Sequence, residues 1–387
     1  MNSDFHYYAT YCASIIAGYS HEEAMTISYS DQLVDLCCKT LLRELGAPLS
    51  AATTQLQLEL MEARTDIIGL QDITRIWSSF HFLPRDLSAK PPVPCSKKYL
   101  NKYRLICGPN GKLLKMTVEL AKDKPLQAAG LAMHILADTW AHTYFAGTPS
   151  MVINNTNYHF YELLPGEDGD VRRKITFRHS ASLPDDLENC IYTSSLHQDN
   201  ENSIMNLGHG RAGHLPDYSF IRYQYLPAWA EYEEYTKDNP SDYHHAFCQM
   251  VYAMKYLRGI YNEFETEQYD TDSVQPHIQE VDSIIRKRQP DASEDWRALG
   301  EKLSGKTIDP FDLNRYQGEY KSAPKDQKDN TFIGKFIIAA LAQKSMVTNQ
   351  IFNSGSKLAG YSVDHEKKLA GRRAFRKQMN DRKENKP

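Results

Sequence analysis

Apolar residues recur at helical spacing over most of the chain, interrupted by short stretches rich in glycine and proline. Ser20 and Glu23 have the spacing of a capping box, ahead of a periodic run that predicts helix to about Leu45, where Gly46 and Pro48 end it. A second helical pattern runs from Leu56 to Ile68, and the proline-rich segment 84–94 reads as a loop. In "KYRLICGPNGKLLKMTVEL" the Gly-Pro-Asn-Gly could turn a hairpin, or the part after it could open a helix. Pro125 suits the first turn of a helix that Gly147 and Pro149 close. The pattern from Val152 to Tyr192 is mixed, with "RRKITFRHS" its most strand-like piece, and "GHGRAGHLPDY" at 208–218 reads as a shaped loop or frayed helix end. Helical periodicity returns at about 242–264, 274–288 and 331–353, and the Lys- and Arg-rich end from His365 reads as a solvated tail. Helix dominates, without internal repeats.

One predicted helix is unusual. In "GLAMHILADTWAHTYFAG", residues 130–147, His134, Asp138 and His142 stand four apart in an otherwise apolar run. Steps of four drift about 40° each around a helix, so the three form one slanted stripe. Such a stripe is either a set of metal ligands or a hydrogen-bonded core network.

Composition narrows the class. The 387 residues suffice for a large core and suggest two or three domains, and a formal net charge of −4 gives no global footprint for nucleic acid. Seven scattered cysteines without a CxxC pair read as reduced thiols rather than a disulfide scaffold. The start lacks a secretory signal pattern, and no apolar run approaches the roughly 20 residues needed to span a bilayer. These features predict a cytoplasmic protein with no transmembrane segment.

Fourteen histidines are present, and several keep acidic company. His6 follows Asp4 in "DFHYY"; Asp31 and Asp35 stand four apart in "SYSDQLVDL"; His81 lies in "FHFLP"; His209, His214 and Asp217 share one glycine-rich segment. Imidazole and carboxylate suit Zn, Fe or Mn, and eight or more such ligands suggest two or three ions. His21, His244, His245 and His365 have no shaping glycine and are set aside. The expected fold is mainly α, a multi-helix bundle around a His/Asp metal centre with minor β or irregular segments.

The motifs "DFHYYATY", "HFLP", "HILADTWAH" and "GHGRAGHLPDY" resemble an uncharacterised bacterial family of unknown function over roughly residues 1–265. That coverage predicts a helical metal-binding catalytic domain at 1–265 and a helical extension with a basic tail at 266–387. More distantly the layout resembles the zinc-dependent phospholipase C and single-strand nuclease superfamily, mostly helical enzymes with a three-zinc cluster. That resemblance implies His6, Asp31, His81, His134, Asp138, His142, His209, His214 and Asp217 as metal ligands. The chain departs from it in three ways. It begins with Met where the superfamily uses the amino group of a mature N-terminal tryptophan. Its helical histidine spacing is shorter, and "HLPD" is His-x2-Asp instead of His-x3-acid. The departures bear on a third ion and leave two as the expectation, with zinc ahead of iron or manganese.

The resulting expectation is a metal-dependent hydrolase acting on a phosphoester (lipid, nucleotide or nucleic acid) through a metal-activated water. Asp138 would bridge ions or hold one with His134, and His142 and His214 would complete the shells. Arg211 either neutralises a phosphate oxygen or is a surface arginine. Tyr218, directly after the last motif, is expected beside the site as a substrate contact. The aromatic segments 158–166 and 217–235 are assigned mainly to core and helix packing. Three other readings stand beside it: an HD-type phosphohydrolase, disfavoured because no His-Asp dipeptide occurs; an iron-dependent oxidative enzyme; and a binding or effector-type protein with a structural metal, whose tail "KKLAGRRAFRKQMNDRK" contacts an anionic partner.

Overall fold

The computed structural model describes residues 1–167, 169–178, 183–193 and 206–360. The basic tail expected from His365 lies outside them. A π-helical turn over Asp4–Ala9 runs directly into α1 (Thr10–Ile16). There follow α2 (His21–Leu33), α3 (Lys39–Leu45), α4 (Gln57–Ala63), α5 (Ile67–Phe80), α6 (Lys97–Tyr103), α7 (Lys112–Ala121) and α8 (Leu126–Ala141). After a β-rich stretch come α9 (Asn239–Leu257), α10 (Thr271–Val274), α11 (Ile278–Arg286), α12 (Ser293–Ser304), α13 (Gln317–Ser322) and α14 (Phe332–Asn353). The chain is thus mainly helical with a small amount of sheet, and among the described residues no helix is long and apolar enough to cross a membrane.

α8 is the axis of the bundle. Every residue from Gln127 to Ala141 is buried, because α2, α7, α9 and α14 all pack around it. A helix enclosed on all sides needs no polar face, which is why its sequence is apolar apart from the residues that serve the site. The tightest approach is to α2: a Cβ on Gly130 would lie 2.2 Å from the Ile27 carbonyl oxygen and 2.7 Å from Ser30 Cβ. Glycine there lets two backbones touch, and it sets the separation between Asp31 on α2 and His134 on α8.

The Ser20–Glu23 capping box is present, but the helix it starts is shorter than its pattern. α2 ends at Leu33, a turn follows, and Cys38 caps α3, which closes on Gly46 at φ 65°. Val34, Cys37 and Cys38 are buried, so the apolar period continues across the break. Thr53 takes up the freed carbonyls, its hydroxyl donating to Val34 at 2.6 Å and its N–H to Cys37 at 2.9 Å. Likewise the pattern over 56–68 is two helices, split where the Asp66 side chain caps the Gly69 N–H at 2.7 Å. The Gly-Pro-Asn-Gly segment opens α7 and no hairpin forms.

The β strands form a satellite layer. β1 (Tyr161–Gly166), β2 (Gly169–Lys174), β5 (Arg222–Tyr225) and β6 (Tyr235–Asp238) make an antiparallel sheet in the order β2-β1-β5-β6, and β3 (Thr176–Arg178) pairs in parallel with β4 (Ile191–Thr193). The two aromatic segments assigned mainly to core and helix packing are thus partly strand, and they pack into a core of the sheet's own. Tyr223 and Tyr225 alternate inward and join Phe160, Phe145, Phe82 and Leu215 in a second core. The helices after residue 265 contribute Val281, Ile285, Trp296, Phe336 and Ile351 to the first core. Glu162, buried on β1, accepts three hydrogen bonds from Arg288 at 2.8, 2.9 and 3.2 Å and one from the Tyr192 hydroxyl, tying the segment after α11 to the sheet. All seven cysteines are free, and only Cys95 is exposed.

Two predictions follow from this packing. Gly130→Ala should cost about 1–3 kcal/mol by overpacking the α2–α8 contact, read as a lowered denaturant midpoint. The second concerns Lys344, buried on α14 with its ammonium donating to the Ala52 carbonyl at 2.7 Å. Burial lowers its pKa from 10.5 to about 8, against the opposing pull of Asp72 and Cys37. Between about pH 8 and 10.5 the unfolded chain holds that proton and the folded chain does not, so stability rises with pH in that window. Lys344→Met should abolish a rise of about 3 kcal/mol, measured as unfolding free energy against pH.

Candidate metal centre

The site assembles at the middle and C-terminal end of α8, where four other segments converge. The π-helical turn, a wide local geometry that often accompanies functional positions, carries His6. α2 supplies Asp31, the turn after it Asp35, the C-cap of α5 is His81, and α8 carries His134 and Asp138 with His142 as its C-cap. His209 and Asp217 come from two 3-10 turns, Gly210–Ala212 and Leu215–Asp217, within the glycine-rich segment.

Asp138 is the hub. Its Oδ1 faces the Met1 amino group at 2.8 Å and His6 Nε2 at 3.3 Å. Its Oδ2 faces His81 Nδ1 at 3.2 Å, His134 Nε2 at 3.2 Å and His142 Nδ1 at 3.6 Å. The carboxylate thus addresses a different set of nitrogens with each oxygen. Asp217 Oδ1 forms a second focus, 3.2 Å from His142 Nε2, 3.6 Å from His209 Nε2 and 3.4 Å from the Met1 amine. His6, His134, Asp31 and Asp138 are fully or almost fully buried.

Each of the five imidazoles has one nitrogen tied down from behind. His81 Nε2 donates to the Thr53 carbonyl at 3.0 Å, His142 Nδ1 to the His81 carbonyl at 2.7 Å, and His209 Nδ1 to the Gly213 carbonyl at 2.8 Å. His6 and His134 both turn Nδ1 to Asp31 Oδ1, at 2.7 and 3.0 Å, and the Thr10 hydroxyl holds the other oxygen of Asp31 at 2.7 Å. A carbonyl only accepts, so the nitrogen facing it carries the hydrogen and the opposite nitrogen presents a lone pair. The remaining nitrogen of His6, His81 and His134 faces Asp138, and that of His142 and His209 faces Asp217. His6 and His134 also stack, with ring centroids 3.9 Å apart.

Several acceptor atoms consequently crowd together. His81 Nδ1 and His134 Nε2 are 3.3 Å apart, and both lie 3.2 Å from the same Asp138 oxygen. Neither nitrogen of His6 makes an aligned hydrogen bond, despite its close carboxylate oxygens. Lone pairs in such a cluster repel one another unless a cation or proton lies among them, so this donor set fits a divalent ion. Three groups have the mutual spacing of metal ligands: His6, Asp31 and His134; Asp35, His81 and His134; and His142, His209 and Asp217.

Without a metal, protons supply the positive charge. Burial disfavours the His134 imidazolium, but Asp138, Asp35 and Asp31 outweigh it and raise its pKa to about 10. The Met1 ammonium behaves alike: burial opposes it, and Asp138, Asp217 and Asp35 lift it to about 11. Burial also works against the Asp138 carboxylate, yet His142, the Met1 ammonium and His134 hold its pKa well below the usual range. His209 is pushed down to about 4 by burial against the pull of Asp217, and burial lowers His81 as well, so both rings are neutral and free to ligate.

The residues expected from the sequence fall into two sets. His6, Asp31, His81, His134, Asp138, His142, His209 and Asp217 come together as described. His214 stands at the rim, its side chain 45 % exposed and its Nδ1 3.4 Å from Asp217 Oδ2, outside the three groups. Arg211 is half-buried in the turn between His209 and His214. Tyr218 lies next to His214, with rings 6.4 Å apart, and its hydroxyl donates to Asp185 at 2.5 Å. Two groups enter beyond the expected set. Asp35, 3.7 Å from His81 and 3.8 Å from His134, carries the signal of its i+4 spacing from Asp31. The second is the amino group of Met1, the residue at which the chain departs from the superfamily's N-terminal tryptophan, and it stands between Asp138 and Asp217.

The model of a family of unknown function (DUF6765) matches residues 1–351, and the chain belongs to that family. No curated protein and no solved structure matches it.

Proposed function

We propose that this family member is a multinuclear metal hydrolase that cleaves phosphoesters. The observation that carries the reading is the orientation of the imidazoles, each braced from behind and aiming its other nitrogen at Asp138 or Asp217. Outer partners of this kind hold metal-ligating histidines in one tautomer and one direction. Asp35, His81, His134 and Asp138 would hold one ion, and His142, His209 and Asp217 a second, with Asp138 placed to bridge toward His6. Asp31, which meets the Nδ1 atoms of His6 and His134 with one oxygen and the Thr10 hydroxyl with the other, is assigned the bracing role. Bound ions would act as Lewis acids on the phosphoryl oxygens and lower the pKa of a bound water, with zinc, iron and manganese all suited to the ligands.

The chain's own groups do the rest. The side chains of Asp35, 30 % exposed, and His214, 45 % exposed, are the most accessible members of a largely buried cluster, and a site that receives substrate requires such access. Arg211, between His209 and His214 in the chain, would meet a phosphoryl oxygen, and Tyr218 lies beside His214 at the rim. In the reaction a water oxygen bonds to phosphorus, the ester P–O bond breaks, and the alcohol leaves with a proton. The distant likeness to the zinc-dependent phospholipase C and single-strand nuclease superfamily supports this class of substrate.

The test is elemental analysis together with hydrolysis of bis(p-nitrophenyl) phosphate. The native protein should hold about two or more equivalents of transition metal and turn over the diester. A folded His134→Ala, Asp138→Ala double variant should lose both. Asp31→Asn should weaken metal affinity about 10–100-fold while leaving the ligand set intact, the size expected for a bracing residue. Absence of metal in the native protein, with no uptake of Zn, Mn or Fe, would make the cluster a buried polar network and overturn the proposal.

A further inference from the structure

Two cavities adjoin where the loop after His81 meets the segment that opens α7, and Arg85 and Asp86 line both. The first, about 460 Å³, carries three cations: Arg85, Arg104 and Lys112. Among the described residues none of the three forms an ion pair. Asp86 is the one acid facing them. The second cavity, about 350 Å³, is lined by three half-buried rings, Tyr103 at the end of α6, Tyr144 and Trp229. The Trp229 ring centroid lies 5.5 Å from that of Tyr144 and 6.5 Å from that of Tyr103. One cavity is thus cationic and its neighbour aromatic.

The backbone fixes both halves. Tyr144 has φ 80°, a left-handed conformation that bulky residues avoid. It is held there by its N–H, which donates to the Cys107 carbonyl at 3.0 Å, and by its carbonyl, which accepts from Trp229 Nε1 at 3.0 Å. Such strain persists only where the surroundings enforce it, and here it brings the Tyr144 ring to the cavity. The Gly-Pro-Asn-Gly segment lies directly on Arg85: a Cβ on Gly111 would fall 2.3 Å from the Arg85 carbonyl oxygen, and one on Gly108 3.1 Å from Arg85 Cδ. The start of α7 at Lys112 and the end of α14 at Asn353 and Ser354 meet in the cationic cavity. Their opposite partial charges of about half a unit offset each other, so the three cationic side chains set the field.

We propose that the paired cavities bind a nucleoside phosphate, at a site separate from the His/Asp cluster. The base stacks on the aromatic side chains, and Arg85, Arg104 and Lys112 take the phosphoryl oxygens. The ribose falls between them, at Asp86. Hydrogen bonds from Ser88, aided by Arg104 and Arg85, hold the Asp86 pKa below the usual carboxylate range. Its Oδ1 accepts from the Ser88 N–H and hydroxyl, and its Oδ2 has no partner among the described residues, which leaves an ionised oxygen to accept from sugar hydroxyls. A free phosphate would leave the aromatic cavity without a role, and each cavity has the size of a small-molecule site, so a single nucleotide fits better than a strand. None of these residues belongs to the metal centre, and the inference does not depend on what that centre does.

Isothermal titration calorimetry of the full chain with ADP, without added divalent ions, tests this. ADP should bind saturably at one site, and more weakly as salt rises. Adenosine and pyrophosphate, which each engage one cavity, should bind about tenfold or more weakly than ADP. Tyr103→Ala should weaken ADP binding about 10–100-fold, the size of a lost base–aromatic stack. Arg85→Glu/Lys112→Glu, at exposed positions, should weaken it about tenfold or more with melting temperature and metal content unchanged. No binding at millimolar ADP overturns the proposal, and so does pyrophosphate binding as tight as that of ADP, which would mark a plain anion site. ADP binding that survives both sets of changes also overturns it by placing the nucleotide elsewhere, the metal centre included. Binding of oligothymidylate without binding of ADP would overturn it in favour of a nucleic-acid strand.

Discussion

The ionised carboxylate of Asp138, at the centre of the most buried helix, constrains the rest of the molecule. An unpartnered charge at such depth costs several kcal/mol, so the fold must deliver compensating groups to it. They arrive from separate parts of the chain: the Met1 amine and His6 from the N-terminal turn, His81 from the end of α5, His134 and His142 from α8 itself. Their own braces come from further segments, Asp31 on α2, the Thr53 carbonyl, and the His81 carbonyl behind His142. Site and scaffold are thus one network, and the close α2–α8 contact at Gly130 serves both.

The same network explains why a helical bundle carries a β layer. His209 and Asp217 belong to irregular backbone whose direction no helix sets. The second aromatic core, with Phe82, Phe145, Ala212 and Leu215, clamps that backbone against the C-terminal end of α8. Phe82 also stacks on His142, with ring centroids 4.7 Å apart, so this core positions a candidate ligand directly. α5 has a comparable double role, presenting apolar residues to the outside at one end and His81 to the cluster at the other.

Much of this was legible locally. The mainly helical class, the Ser20–Glu23 cap, the helix ended by Gly46 and the start of α8 at Pro125 all depend on neighbours a few residues apart. The stripe of His134, Asp138 and His142 follows from helical geometry, although His142 terminates the helix. Three features were hidden because their cause is long-range. The break after Leu33 is stabilised by Thr53, twenty residues on. The aromatic strands β1 and β5 pair across some sixty residues. The six exposed apolar residues at 56–70 have the same local pattern as buried ones, and only the packing of the remaining chain leaves them uncovered.

The chemistry divides in the same way. Residue types and spacing alone establish a set of histidines and aspartates on helices and glycine-rich turns, because ligand chemistry and helical period are properties of short segments. Which imidazole nitrogen faces inward, that Asp35 joins the cluster, that the Met1 amine sits between two carboxylates, and that Asp31 stands behind two rings are settled only when distant segments meet. A tautomer is chosen by the partner of the opposite nitrogen, and here those partners are Asp31, the Thr53, His81 and Gly213 carbonyls. Most of them lie far along the chain from the ring they brace, and they become neighbours only in the folded protein.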